Sequence, residues 1–68
     1  MATGTVKWFD QKKGYGLITP QDGSEDVFVR VAAVERAGIA QLNEGQRINY
    51  RVALDPLGPR AVDLARAV

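Results

Sequence analysis

The chain has no cysteine and no histidine. Without cysteine there is no disulfide, no thiolate zinc site and no sulfur nucleophile. Without histidine the commonest general base and the commonest metal ligand are both missing. Proline is scarce at three residues, aromatics amount to one Trp, two Tyr and two Phe, and no apolar run nears the roughly 18 residues of a membrane-spanning helix. The N-terminus lacks a basic-then-apolar signal pattern, so the expectation is a soluble, cytoplasmic chain without a membrane partner. Charge of one sign is lacking too. Nine Lys and Arg face eight Asp and Glu for a net +1, far from the strongly positive balance of many nucleic-acid binders. Attraction for a polyanion therefore has to come from a local patch.

What is present suffices for one small folded domain over residues 1–68. Eighteen of the 68 residues are Leu, Ile, Val or Phe, above the level at which a chain fails to bury a core. A domain this short buries only about 60% of its unfolded surface, so its stability is marginal.

Turn signals arrive at short intervals. Thr5 to Asp10 is rich in β-branched and aromatic residues and reads as a strand. Gln11 to Gly14 is a polar hairpin turn, with Gly14 supplying the unusual backbone angle. Tyr15 to Thr19 is a second strand, closed by Pro20 and the Asp22-Gly23-Ser24 turn. In a third, Asp26 to Val31, the residues Val27, Val29 and Val31 alternate with Phe28 and Arg30. Ala32 to Ala37 makes at most a short helical turn ended by Gly38. Gln46 to Ala53 restores alternation, with Ile48, Tyr50 and Val52 on one face. After the breaker Asp55 to Pro59, Arg60 to Ala65 turns Val62 and Leu64 inward.

Five short strands without a substantial helix predict an all-β fold. Closing the sheet buries one face and removes most edges, so the expected architecture is a five-stranded antiparallel barrel of the oligonucleotide/oligosaccharide-binding (OB) type. The expected core is Val6, Ile18, Val27, Val29, Ile48, Tyr50, Val52 and Leu64.

If Ile18, Val27 and Val29 point in, alternation turns Tyr15, Leu17, Phe28 and Arg30 out. Trp8 is assigned to the same outer face, edged by Lys7 and Lys13. Exposed aromatics are unfavourable unless something covers them, and unpaired bases do so by stacking while Lys and Arg track the phosphates. The plain alternative is that each aromatic merely packs, but the opposite face already holds enough aliphatic residues to fill a small barrel. Gly14 and Gly16 flank Tyr15. They permit either close approach of another backbone or a ligand, or a sharp barrel bend.

The segment Lys13-Gly14-Tyr15-Gly16-Leu17-Ile18 resembles the first ribonucleoprotein motif, and Val27-Phe28-Val29-Arg30-Val31 resembles the second. With Gly4-Thr5-Val6-Lys7-Trp8-Phe9-Asp10 before them and Leu42-Asn43-Glu44-Gly45-Gln46 after, the chain resembles bacterial cold shock domain proteins from about Gly4 to Leu64. The RNA recognition motif shares the two short motifs but needs two real helices, for which there is no room. The resemblance implies a barrel that binds single-stranded RNA and DNA with little sequence preference beyond pyrimidine-rich stretches, and acts as an RNA chaperone or as a regulator of transcription or translation. Its stacking positions map onto Trp8, Tyr15 and Phe28 with Phe9 nearby, and Lys7, Lys13 and Asp26 match its binding surface. Arg60 completes the candidate nucleic-acid-binding set together with the departures that follow.

Leu17 stands where that family usually has Phe, Arg30 where it has His, Val31 where it has Phe, and Ile39 where it has Phe or Tyr. Asp10 replaces the usual Asn. Stacking on one aromatic is worth roughly 1–3 kcal/mol, so these losses predict weaker binding than a typical member. The aliphatic replacements equally suit a face that binds another protein, or residues that extend the core. No catalysis, cofactor or metal is expected: Asp22, Glu25 and Asp26 cluster at one turn but lack the ligand series of a calcium loop. The expected state is a monomer, with barrel edges that permit a weak dimer.

Overall fold

Alternating apolar residues become five strands that are too short to bury a face unless the sheet closes on itself. In the computed structural model, which describes residues 1–67, β1 runs over Ala2–Asp10, β2 over Tyr15–Pro20 and β3 over Val27–Arg30. A single turn and a half of helix, α1 (Val31–Arg36), follows, and then β4 (Arg47–Asp55) and β5 (Gly58–Arg66). The sheet closes in the order β1-β2-β3-β5-β4. Its seams are antiparallel except β3–β5, which is parallel and carries one registered pair, Phe28 with Arg60. The all-β, five-stranded OB-type barrel read from the sequence is what the chain forms, with that parallel seam as the one departure from an antiparallel design.

Two irregularities decide which side chains face in. In β1, Val6 pairs with Ile18 and Trp8 with Leu17, so Lys7 has no partner on β2. This extra residue is a β-bulge. It lets Val6 enter the core and Trp8 leave it, although regular alternation would turn both the same way. In β5, Asn49 pairs with Ala65 but Arg51 with Val62, which leaves one residue too many on β5. Asp63 takes up the slack in the left-handed region at φ 52°, a conformation Asp tolerates better than most residues.

Val6, Ile18, Val27, Val29, Ile48, Tyr50 and Leu64 are buried as expected. Val62 is corrected: the β5 bulge leaves it half-buried and turns Ala61 into the core instead. Val52 is corrected as well, at 49% exposed. Its parity is right, but β1 covers β4 only over Arg47 to Tyr50. Beyond that point the β4–β5 hairpin has no strand beside its β4 edge, and Leu54 and Leu57 near its tip are 85% and 82% exposed.

Past β3 the chain adds core residues that alternation does not reveal. Val34 of α1, and Ile39 and Leu42 of the loop after it, all join the buried cluster. The helix has no side-chain cap at its start. It ends in three backbone bonds, from Ala37 N–H to Ala33 O, Gly38 N–H to Glu35 O and Ile39 N–H to Val34 O. A helix of six residues is held by burying Val34 rather than by its own propensity.

Candidate nucleic-acid interface

The outer face of the first three strands is a grid set by their registers. One row runs Trp8, Leu17, Phe28 and across the parallel seam to Arg60; the next runs Asp10, Tyr15 and Arg30. The rings are in contact. Trp8 meets Tyr15 edge-on with centroids 5.8 Å apart, and Tyr15 stacks on Phe28 at 5.2 Å and 23°. The Arg30 guanidinium carbon lies 5.4 Å from the centre of the Phe28 ring, a distance at which the cation is attracted to the ring's π-face. Trp8, Tyr15, Leu17 and Phe28 are all half-buried, so the array is a surface and not a second core.

The two glycines beside Tyr15 serve the scaffold. Gly14 is in the left-handed region at φ 83° and closes the β1–β2 turn, donating to Asp10 O and accepting from Val31 N–H. Gly16 sits opposite Phe9. A methyl group on Gly16 would collide with Trp8 O and lie 2.7 Å from Phe9 Cδ1. The backbone that approaches closely here is β1, which is the open point the sequence left between strand, ligand and bend.

The turn also accounts for Asp10. Its Oδ1 accepts the backbone N–H groups of Lys12 and Lys13, both at 3.0 Å, so the carboxylate closes the hairpin at the edge of the aromatic face. Lys7, on the bulge, reaches Asp26 Oδ2 at 3.1 Å. Arg60 Nε lies 3.6 Å from Asp55 Oδ2 and has no hydrogen-bond partner among the described residues. Lys13 and Arg30 are exposed and, among the described residues, form no ion pair, which makes them the free cations of the face.

One expected site position is corrected. Ile39 is only 6% exposed and belongs to the core, so it offers no surface in place of the aromatic usual there. Phe9 is half-buried and packs against the core cluster opposite Gly16. Val31 is half-buried at the start of α1, next to Gly14. The pairing of Arg60 with Phe28 was beyond sequence reasoning, because a parallel seam between β3 and β5 leaves no local pattern.

A family model described as 'Cold-shock' DNA-binding domain matches residues 2–67. The chain belongs to the cold-shock domain family. A probable cold shock protein of Sinorhizobium fredii is 60% identical over 55 residues, covering 81% of this chain and 80% of that one. Cold shock protein CspA of Rhizobium meliloti is 50% identical over 68 residues, covering 98% and 99%. Cold shock-like protein CspE of Escherichia coli is 46% identical over 61 residues, covering 90% and 88%. In this chain the Trp8, Tyr15 and Phe28 array has Leu17 beside Phe28 and Arg30 beside Tyr15. No helix is long and apolar enough to cross a membrane among the described residues.

Proposed function

We propose that the protein binds single-stranded RNA and DNA on the outer face of β1, β2 and β3. Bases stack on Trp8, Tyr15 and Phe28, Leu17 fills the apolar space between them, and Lys7, Lys13, Arg30 and Arg60 follow the phosphates. Val31 borders this surface beside the β1–β2 turn. The observation that carries the reading is the continuous contact from Trp8 through Tyr15 to Phe28 on a half-exposed face, above a core that aliphatic residues already fill. Pyrimidine-rich strands suit a stacking surface that selects little else. In the cytoplasm such binding holds transcripts open, the work of an RNA chaperone, and bears on transcription or translation without any catalytic step.

Trp8 is the only tryptophan, so its fluorescence reports directly on the face. Titration with heptathymidine is expected to quench it, with an affinity that falls only modestly between low and physiological salt because few phosphates are neutralised. Absence of quenching at high oligonucleotide concentration would remove the reading.

A further inference from the structure

Arg30 adds a base-reading group to the face, and the inference drawn from it rests on the binding reading above. The guanidinium is exposed, has no carboxylate partner among the described residues, and is held 5.4 Å from the centre of the Phe28 ring. Its own register partner is Tyr15, which stacks on that same ring. Arg30 therefore adjoins the Tyr15–Phe28 platform, with its guanidinium over the Phe28 ring. A base that takes the guanidinium's place on that ring meets it at the base edge.

An arginine at a base edge is not neutral towards sequence. Its planar fork carries parallel N–H donors and no acceptor, and its charge is present at any physiological pH. Among the bases, guanine presents two adjacent acceptors, O6 and N7, that match this fork bidentately. Thymine separates its two carbonyls by an N–H donor, and adenine sets an amino donor beside its N7, so with either base one N–H of the fork has nothing to bond. Cytosine carries its acceptor pair, O2 and N3, on the Watson–Crick edge instead, and is tested beside guanine. In a single strand the Hoogsteen edge that carries O6 and N7 is free. A lysine in the same place is a point charge that follows phosphate without choosing a base.

We infer that Arg30 gives this domain a guanine-reading position, so that its preferred strand is pyrimidine-rich with one guanine seated on the Tyr15–Phe28 platform. The neighbouring chemistry fits a single selective position. Leu17, paired with Phe28, offers an apolar contact that discriminates little. Lys13, the other free cation, lies in the β1–β2 turn outside the platform rows. Only at Arg30 does a fork-shaped donor without a competing acid adjoin a stacking surface.

The test uses Trp8 quenching by heptathymidine and by seven heptamers that each replace one thymine with guanine. The best of these is then remade with adenine, with cytosine and with 7-deazaguanine, which stacks like guanine but lacks N7. One guanine position is expected to tighten binding about tenfold over heptathymidine. That gain should vanish with adenine, with 7-deazaguanine, with cytosine at the same position and in Arg30→Lys, each compared with the same protein's affinity for heptathymidine. Because Arg30 is exposed, the variant's melting temperature serves as the check on folding. Equal affinity for all heptamers, or a gain that survives in Arg30→Lys, with cytosine or with 7-deazaguanine, overturns the inference while leaving stacking on the face intact. Failure of every heptamer to quench Trp8 overturns the binding reading itself, and this inference with it.

Discussion

The rings of Tyr15 and Phe28 lie 5.2 Å apart and 23° from parallel, although the two residues are not register partners. Tyr15 is paired with Arg30 and Phe28 with Leu17, so the rings meet along the diagonal of the β2–β3 ladder. Leu17 is short enough to leave that diagonal open. Two rings in such contact act on a ligand as one platform.

Replacing either ring with alanine is accordingly expected to weaken heptathymidine binding by roughly 1–3 kcal/mol. The double variant should lose clearly less than the sum, since each single change already breaks the shared platform. Trp8 quenching gives the affinities. The unfolding free energy from urea titration should fall by only about 1 kcal/mol per variant, the worth of an aromatic pair on a half-exposed face. Fully additive affinity losses would mean that the rings act separately.

Gly16→Ala is expected to cost about 1–3 kcal/mol of stability, because the new methyl meets the backbone of β1 and cannot be relieved by a rotamer change. Thermal or urea unfolding measures it. A neutral effect would show that β1 and β2 separate without penalty at Phe9.

Tyr50 is fully buried, and no group among the described residues bonds its hydroxyl. Burial first, and the charge of Asp22 second, raise its pKa above the ordinary 10.0. The folded chain then keeps a proton that the unfolded chain releases, so stability is intact below the unfolded value and is lost as pH rises from there through the raised folded value. Urea midpoints should fall as pH rises above about 10. Tyr50→Phe should be as stable as the parent or more so at pH 7, since it removes an unpaired buried hydroxyl, and should lose less on the alkaline side. An equal alkaline fall in both proteins would assign that loss elsewhere.

Ile39→Ala is expected to destabilise by about 2–5 kcal/mol, as for an aliphatic side chain removed from a core. Heptathymidine binding by the fraction that remains folded should be unchanged. Leu57→Ser, at the exposed hairpin tip, should stay within about 0.5 kcal/mol of the parent. Large effects on binding from Ile39→Ala would return that residue to the interface.

The strands and most of the core could be read because Val27 and Val29 obey simple alternation in an unbroken ladder with β2, and Ile48 and Tyr50 in an unbroken ladder with β1. Alternation failed at Val62, where an extra residue in β5 itself shifts the phase, and at Val52, where the phase is right but no neighbouring strand arrives. Both depend on strand partners, which are distant in sequence. Ile39 and Leu42 were missed for another reason: they lie in an irregular segment with no period to detect. At the interface, Trp8, Tyr15 and Phe28 stood out as aromatics beside an already sufficient core, whereas the Arg60 partnership of Phe28 arises only when the barrel closes.

The bulge at Lys7 separates two properties of one position. Its charge serves the surface and can be exchanged for another side chain with little effect on the barrel. Its place outside the ladder cannot: were Lys7 drawn into register with β2, alternation would turn Trp8 to the same side as Val6 and strip the outer face of its first ring. Along β1 the protein is therefore tolerant of spelling and intolerant of straightening.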